Sequence, residues 1–285
     1  MSKEKVLVVG LGEVGYALYE LLKESGEFDV YGFDLDVKRL RKITGETMLP
    51  EKVHVMHICY PCKQQEEFIQ TTLRYIKSFE PKLTIINSTV PPGTTQEIYT
   101  RSQKPVVHSP IRGMHKSLEM MKNDIRFWKK YIGGTTTSSA EAAKDHFEKL
   151  GLKVKILKSS IETELAKLFE TTYRAFMIAC FQEMHRISRH YNADFDQVVD
   201  MLEDIHRLRL NKPLHYPGVI GGHCLIPNTE LLLSVYDSEF LRLVLKSNEK
   251  RKEEIKDHII FEETEKVRKR AELVQKELME KLGNS

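Results

Sequence analysis

Val6-Leu7-Val8-Val9-Gly10-Leu11-Gly12-Glu13-Val14-Gly15 is the stretch on which the fold turns. An unbroken aliphatic run of this length reads as a strand buried on both faces. Glycines then break the strand, and residues 14–24 return to apolar spacing of helical period. Strand, glycine turn and helix in this order open a βαβ unit. Working outward, residues 29–33, 53–59, 83–86, 106–107, 131–132 and 154–157 read as further strands, and Gln65–Phe79 as a helix closed by Pro81. Strands separated by such helices predict α/β architecture with a parallel sheet covered on both faces. Right-handed crossovers then make that sheet doubly wound.

The glycines have separate tasks in such a turn. Gly10 permits the tight bend, Gly12 lets the backbone approach a pyrophosphate, and Gly15 lets the helix pack closely on the sheet. The first helical residues, Glu13 and Val14, bring amides of the positive helix end to the phosphates. Asp34 lies at the end of the second strand, about 20 residues on, where a carboxylate bonds the adenosine ribose hydroxyls. A carboxylate there repels a 2′-phosphate, so NAD is the expected cofactor. Lys38 and Arg39 are the residues that would accommodate that phosphate if NADP were bound instead.

The rest of the composition sets bounds. Lys and Arg number 44 against 41 Asp and Glu in 285 residues, a net charge of +3, which argues against a nucleic-acid partner. No apolar run reaches the ~18–20 residues of a membrane span, and the first five residues lead straight into a strand without signal-peptide features. Four cysteines do not make a disulfide scaffold, so a cytoplasmic location is expected. Cys59-Tyr60-Pro61-Cys62 offers one pair, too few for a tetrahedral zinc site. No metal is expected.

Beyond residue 158 the pattern becomes wholly helical. Residues 161–191 contain no glycine or proline, residues 193–205 form a second helix with Asn192 as N-cap, and 213–227 read as a loop. Residues 246–282 read as one charged amphipathic helix with Val267, Ala271, Val274, Leu278 and Leu282 on one face. The expected domains are 1–158, a dinucleotide-binding domain; 159–245, a helical central domain; and 246–285, the charged helix. A long apolar helix face predicts a homodimer.

Three further motifs narrow the field. They are Asn87-Ser88-Thr89-Val90-Pro91-Pro92-Gly93-Thr94-Thr95, Ala166-Lys167-Leu168-Phe169-Glu170-Thr171 and Gly221-Gly222-His223-Cys224-Leu225. Together with the glycine turn, in this order, they resemble the UDP-glucose/GDP-mannose (nucleotide-sugar 6-) dehydrogenase family over roughly the first 245 residues. The resemblance implies a Rossmann-like sheet followed by an all-helical domain, and oxidation of a sugar CH–OH group with NAD through a cysteine thiohemiacetal and thioester. It maps the nucleophile onto Cys224, the oxyanion-stabilising lysine onto Lys167 and a water-ordering threonine onto Thr89. It also places Pro61 over the nicotinamide side. A thiolate suits this chemistry because its adduct with an aldehyde loses hydride readily, and a fixed ammonium stabilises the alkoxide.

Departures from the pattern are equally specific. The family's asparagine one turn after the lysine is here Thr171, and its aspartate after the cysteine is here Asn228. Its two glutamates after Ser109-Pro110 are here Ile111 and His115. His115 would be a substitute base, and Arg112 beside it a phosphate or carboxylate ligand. Family members also run well beyond 285 residues, through a further domain that grips the nucleotide; the charged helix stands in its place. The expected substrate is a small molecule, of which a nucleotide sugar is one candidate. Two other readings stand beside this one: a single-step 3-hydroxy-acid-type dehydrogenase, and a divergent non-catalytic NAD-binding protein that recruits a partner through residues 246–282.

Overall fold

Alternation along β1 (Glu4–Val9) sets up the architecture: Val6 and Val8 enter one hydrophobic cluster, Leu7 and Val9 another on the opposite face. All four are almost completely buried, which is why the strand carries no polar residue in that stretch. The computed structural model of the chain describes residues 3–41, 43, 49–113, 117–209, 216–235 and 237–283. The chain divides into two compact units, residues 1–168 and 169–285.

In the first unit the order is β1, α1 (Glu13–Ser25), β2 (Phe28–Phe33), α2 (Val37–Leu40), β3 (Val55–Ile58), α3 (Gln65–Phe79), β4 (Leu83–Ile86), α4 (Thr94–Ser102) and β5 (Val106–His108). Then follow α5 (Leu118–Phe127), β6 (Lys130–Gly134), α6 (Thr137–Glu148), β7 (Val154–Ile156) and the start of α7 (Ser160–His190). The sheet runs β2-β1-β3-β4-β5-β6-β7. The first five of these strands are mutually parallel, as expected of a doubly wound Rossmann-like sheet.

Strand β6 departs from the parallel order. It pairs antiparallel to β5, with Val107 opposite Gly134 and His108 opposite Gly133, and β7 follows β6 in parallel. The reason lies in α5, which packs against α1 and does not return the chain to the start of the sheet. β6 therefore begins where β5 stops, and Ser109 Oγ donates to the Tyr131 carbonyl at 2.9 Å across that junction.

The second unit holds the rest of α7 with α8 (Phe195–Arg209), α9 (Leu225–Val235), α10 (Glu239–Glu254) and α11 (His258–Gly283). Phe181, Phe195, Val199 and Val267 form one small core, and Ala175, Ile220 and Val244 another. Two sequence readings change here. Asn192 is not an N-cap: it sits at φ +55° in the left-handed region, with its N–H on the Arg189 carbonyl at 3.1 Å, closing α7. Asp194 caps α8 instead, taking the Asp196 N–H at 2.9 Å. Residues 246–282 are not one helix, because the chain turns at 255–257 and α11 starts afresh with Asp257 accepting the Ile259 N–H at 2.8 Å. Val267 and Val274 are buried on the expected face, while the side chains of Leu278 and Leu282 lie outside the described residues.

A buried polar chain joins α7, α10 and α11. Arg251, fully buried, donates to His185 Nδ1 at 3.0 Å and to the Gln182 carbonyl at 3.0 Å. An acceptor at Nδ1 leaves the proton on Nε2, which donates to Glu263 at 2.6 Å.

Candidate functional site

The β1–α1 turn is shaped by glycines that the fold itself requires. Gly10 lies at φ +92°, and a Cβ there would stand 2.7 Å from the Tyr60 nitrogen. A Cβ on Gly15 would stand 1.8 Å from the Gly10 carbonyl oxygen. Gly12 differs, since the nearest atom to its missing Cβ is Arg39 Nη1 at 3.8 Å. Among the described residues nothing demands a glycine at that place. Space in front of Gly12, and a helix end that Gly12 leaves without a side-chain cap, together fit a pyrophosphate approaching the first turn at Glu13 and Val14.

Asp34 stands beside this turn, 8% exposed. Its Oδ2 accepts the Leu11 N–H at 2.7 Å, its Oδ1 accepts the Asp36 N–H at 2.8 Å, and Arg39 approaches to 3.3 Å. Burial alone would raise the carboxyl, but those amides and the guanidinium outweigh it and hold Asp34 below the usual aspartate value. The result is an anchored anion with acceptor capacity left for ribose hydroxyls.

The ends of β3 and β4 supply the next loops. Pro61 is exposed after β3. Ser88 Oγ donates to the Tyr60 carbonyl at 2.6 Å, so the two loops are tied together. Thr89 is half-buried just beyond. Behind it, His108 Nε2 lies 3.1 Å from the Ser88 carbonyl and its Nδ1 lies 2.8 Å from Thr163 Oγ. Burial pushes His108 down to about 3, with the charges of Lys130 and Lys167 adding to the shift. The neutral ring therefore donates from Nε2 to the carbonyl and accepts the threonine hydroxyl at Nδ1.

Lys167 is half-buried on the early turns of α7. One turn before it, fully buried Glu164 accepts the Gly93 N–H at 2.7 Å, the Thr95 N–H at 2.9 Å and the Thr95 hydroxyl at 2.5 Å. Burial pushes Glu164 up to about 7 against the pull of these donors. The first unit thus brings Gly10, Gly12, Glu13, Val14, Gly15, Asp34, Pro61 and Thr89 to the ends of adjacent parallel strands, with Lys167 near the end of β5.

Sequence reading missed Glu164, His108 and Lys130. Lys130 is 5% exposed and donates to the Ser109 and Pro110 carbonyls at 3.0 and 3.1 Å; burial pushes it down to about 7. One signal for Glu164 was available: α4 starts after Pro91-Pro92-Gly93, a sequence with no local side-chain cap. An acceptor from elsewhere had to meet its amides. No pattern in the sequence marks His108 or Lys130, since polar residues at strand ends are ordinarily solvated.

Ile111, where the resemblance places a glutamate, is 6% exposed and packs into the core with Met121 and Ile125. Arg112 is held between the Trp128 and Tyr131 rings, 4.9 and 5.2 Å from their centroids, and donates to the Lys129 carbonyl at 2.8 Å. His115 lies outside the described residues.

In the second unit Cys224 immediately precedes α9, half-buried, with its carbonyl accepting the Asn228 N–H at 2.9 Å. Residues 225–227, expected at the end of the loop, instead open this helix, and Asn228 follows in its first turn. Its Nδ2 donates to Thr171 Oγ at 3.1 Å, and both side chains are buried. These two departures from the family pattern are therefore partners, and the pair is neutral. Among the described residues no cluster of histidine, cysteine or carboxylate side chains suits a metal, and no helix is long and apolar enough to cross a membrane.

The chain is similar to known proteins in sequence and in fold. Residues 161–250 match the central domain of the UDP-glucose/GDP-mannose dehydrogenase family. UDP-N-acetyl-D-mannosamine dehydrogenase of Methanocaldococcus jannaschii is 32% identical over 78% of this chain, which spans 60% of that protein's length. Among solved structures, UDP-D-ManNAc dehydrogenase of Pyrococcus horikoshii superposes with a TM-score of 0.72 at 22% identity, over 87% of this chain and 68% of the other. The 3-hydroxyisobutyrate dehydrogenase of Mycobacterium tuberculosis shares the fold at a TM-score of 0.64 and 14% identity, over 90% of this chain and 95% of its own.

Proposed function

We propose that the chain belongs to the UDP-glucose/GDP-mannose dehydrogenase family, whose central domain its residues 161–250 match, and that it is an NAD-dependent oxidoreductase acting on a CH–OH group of a nucleotide sugar. The observation that carries this reading is the open, uncapped turn at Gly12 with the anchored Asp34 carboxylate beside it. NAD would supply the hydride acceptor. Gly12, Glu13 and Val14 would take its pyrophosphate and Asp34 its ribose, while Pro61 and Thr89 would bound the nicotinamide end. Arg39 is engaged with Asp34, which favours NAD over a 2′-phosphorylated cofactor.

On the substrate side, Lys167 would stabilise oxygen charge as the alcohol is oxidised to the aldehyde. Cys224, giving up its thiol proton, would then add to that aldehyde, and transfer of a second hydride to a second NAD, with loss of the hydroxyl proton to solvent, would convert the thiohemiacetal to a thioester. Water must finally cleave the thioester to release the carboxylate and the free thiol. Thr171 and Asn228 would hold that water by neutral hydrogen bonds only, which makes this the slow step.

A second reading follows from the same pair. With Asn228 and Thr171 both uncharged and Ile111 buried in the core, the reaction would stop after one oxidation, as in a single-step dehydrogenase. NADH formed per sugar consumed, measured over a panel of UDP- and GDP-sugars, separates the two. A ratio of two supports the full oxidation and a ratio of one supports the single step. NADH from none of the panel contradicts both. A homodimer formed through α7, which exposes Phe169 and Tyr173, belongs to the proposal; a monomer in light scattering at micromolar concentration would remove it.

A further inference from the structure

Two consecutive residues of α7 hold the two ends of one loop. Glu164 takes the amides of Gly93 and Thr95 at the start of α4, and Thr163 reaches the Ser88 carbonyl through the His108 ring. Between those ends lies the segment with Thr89. One helical turn further along α7 lies Lys167.

We propose that Glu164, with the Thr163–His108 relay as a second arm, is a positioning residue that sets Lys167 in register with the loop bearing Thr89. This rests on the reading of Lys167 and Thr89 given above. The local chemistry explains why a carboxylate is used. Gly93 lies at φ +90° and offers α4 no side-chain acceptor, so the helix would otherwise begin with buried amides unpaired. Locally, a Ser or Asp at the cap would satisfy them. A cap drawn from α7 satisfies them as well, and it also fixes the distance between two elements. Both carboxylate oxygens are engaged, by three donors of which two are backbone, so the group cannot swing without breaking the set. The second arm is equally constrained, since a neutral His108 has one donor and one acceptor and both are engaged.

The consequence concerns catalysis more than cofactor affinity. Lys167 and Thr89 would serve successive steps at one carbon, and a displacement of about 1 Å between such groups costs on the order of a hundredfold in rate. A residue that merely supported the fold would lower thermal stability and leave turnover per folded molecule unchanged.

The test compares wild type, Glu164→Gln, Lys167→Met and the double variant, by amide hydrogen exchange without substrate and by NADH formation with the sugar panel. Glu164→Gln keeps the size of the side chain but turns an amide toward one of the donors. Expected are exchange at residues 93–97 faster by roughly tenfold or more, α1 amides unchanged, and a kcat roughly tenfold lower with KM little altered. The added effect of Glu164→Gln should vanish in the Lys167→Met background, because the register then has nothing to position. Unchanged exchange at 93–97, or an equal loss of kcat in both backgrounds, overturns the proposal. Thr163→Val, near-isosteric, tests the other arm if Glu164→Gln does not fold, and should show the same dependence on Lys167. If the wild type forms no NADH with any sugar, the functional reading fails, while the exchange comparison still decides whether Glu164 holds the loop.

Discussion

At the residue scale, the glycine turn separates what the fold needs from what a ligand needs. Gly15→Ala places a Cβ 1.8 Å from a carbonyl oxygen, so the turn must shift, and a loss of about 1–3 kcal/mol in chemical denaturation is expected. Gly12→Ala meets only Arg39 Nη1, at an ordinary contact distance of 3.8 Å, so its cost is that of alanine at the cap of α1, about 0.5–1 kcal/mol. It should nevertheless weaken NADH binding, followed by fluorescence titration, because the new methyl would stand where the proposed pyrophosphate site lies. Equal NADH affinity in Gly12→Ala and wild type would remove the cofactor site from this turn. Glu164 gives a pH signature. Its carboxyl is raised by burial from the ordinary 4.5 to about 7, so the native protein holds that proton more tightly than the unfolded chain. The resulting stability is complete below the unfolded value and is lost as pH rises through about 7. Melting temperatures of wild type should therefore fall relative to Glu164→Gln as pH increases across that window; parallel curves would show that Glu164 does not titrate there.

At the element scale, legibility followed periodicity. The strands around residues 6–9, 83–86 and 106–107 were readable because buried parallel strands are continuous apolar runs. Gln65–Phe79 was readable from its 3.6-residue spacing and closing proline. The reversal at β6 was not, because strand direction depends on where α5 packs, and that is decided by contacts with α1 distant in sequence. The break at 255–257 was hidden for another reason: charged residues continue through it without glycine or proline. Only Asp257 marks it, by accepting the Ile259 and Ile260 N–H groups at 2.8 and 3.4 Å. Asp257→Ala should cost about 1 kcal/mol through the lost cap of α11, read by urea denaturation. No change would mean that α10 and α11 are delimited by packing alone. The site was legible in the same uneven way. Gly10, Asp34, Thr89 and Lys167 carry motif signals, whereas Glu164 and His108 act through bonds spanning 69–71 and 20–55 residues.

At the scale of the whole molecule, the residues of the proposed reaction fall in both units. The first carries the glycine turn, the Thr89 loop and Lys167; the second carries Cys224 and the neutral Thr171–Asn228 pair. The chain spans 60% of the length of the Methanocaldococcus jannaschii relative, so the complete reaction of such enzymes is a proposal for this one. Its core is that the second hydride transfer to NAD passes through a sulfur adduct. The most direct measurement is NADH formation by wild-type and Cys224→Ser proteins side by side, with NAD and the same panel of UDP- and GDP-sugars. The account predicts that Cys224→Ser, with its NADH affinity intact, loses the second NADH and yields no carboxylate. NADH formation undiminished in Cys224→Ser would contradict it.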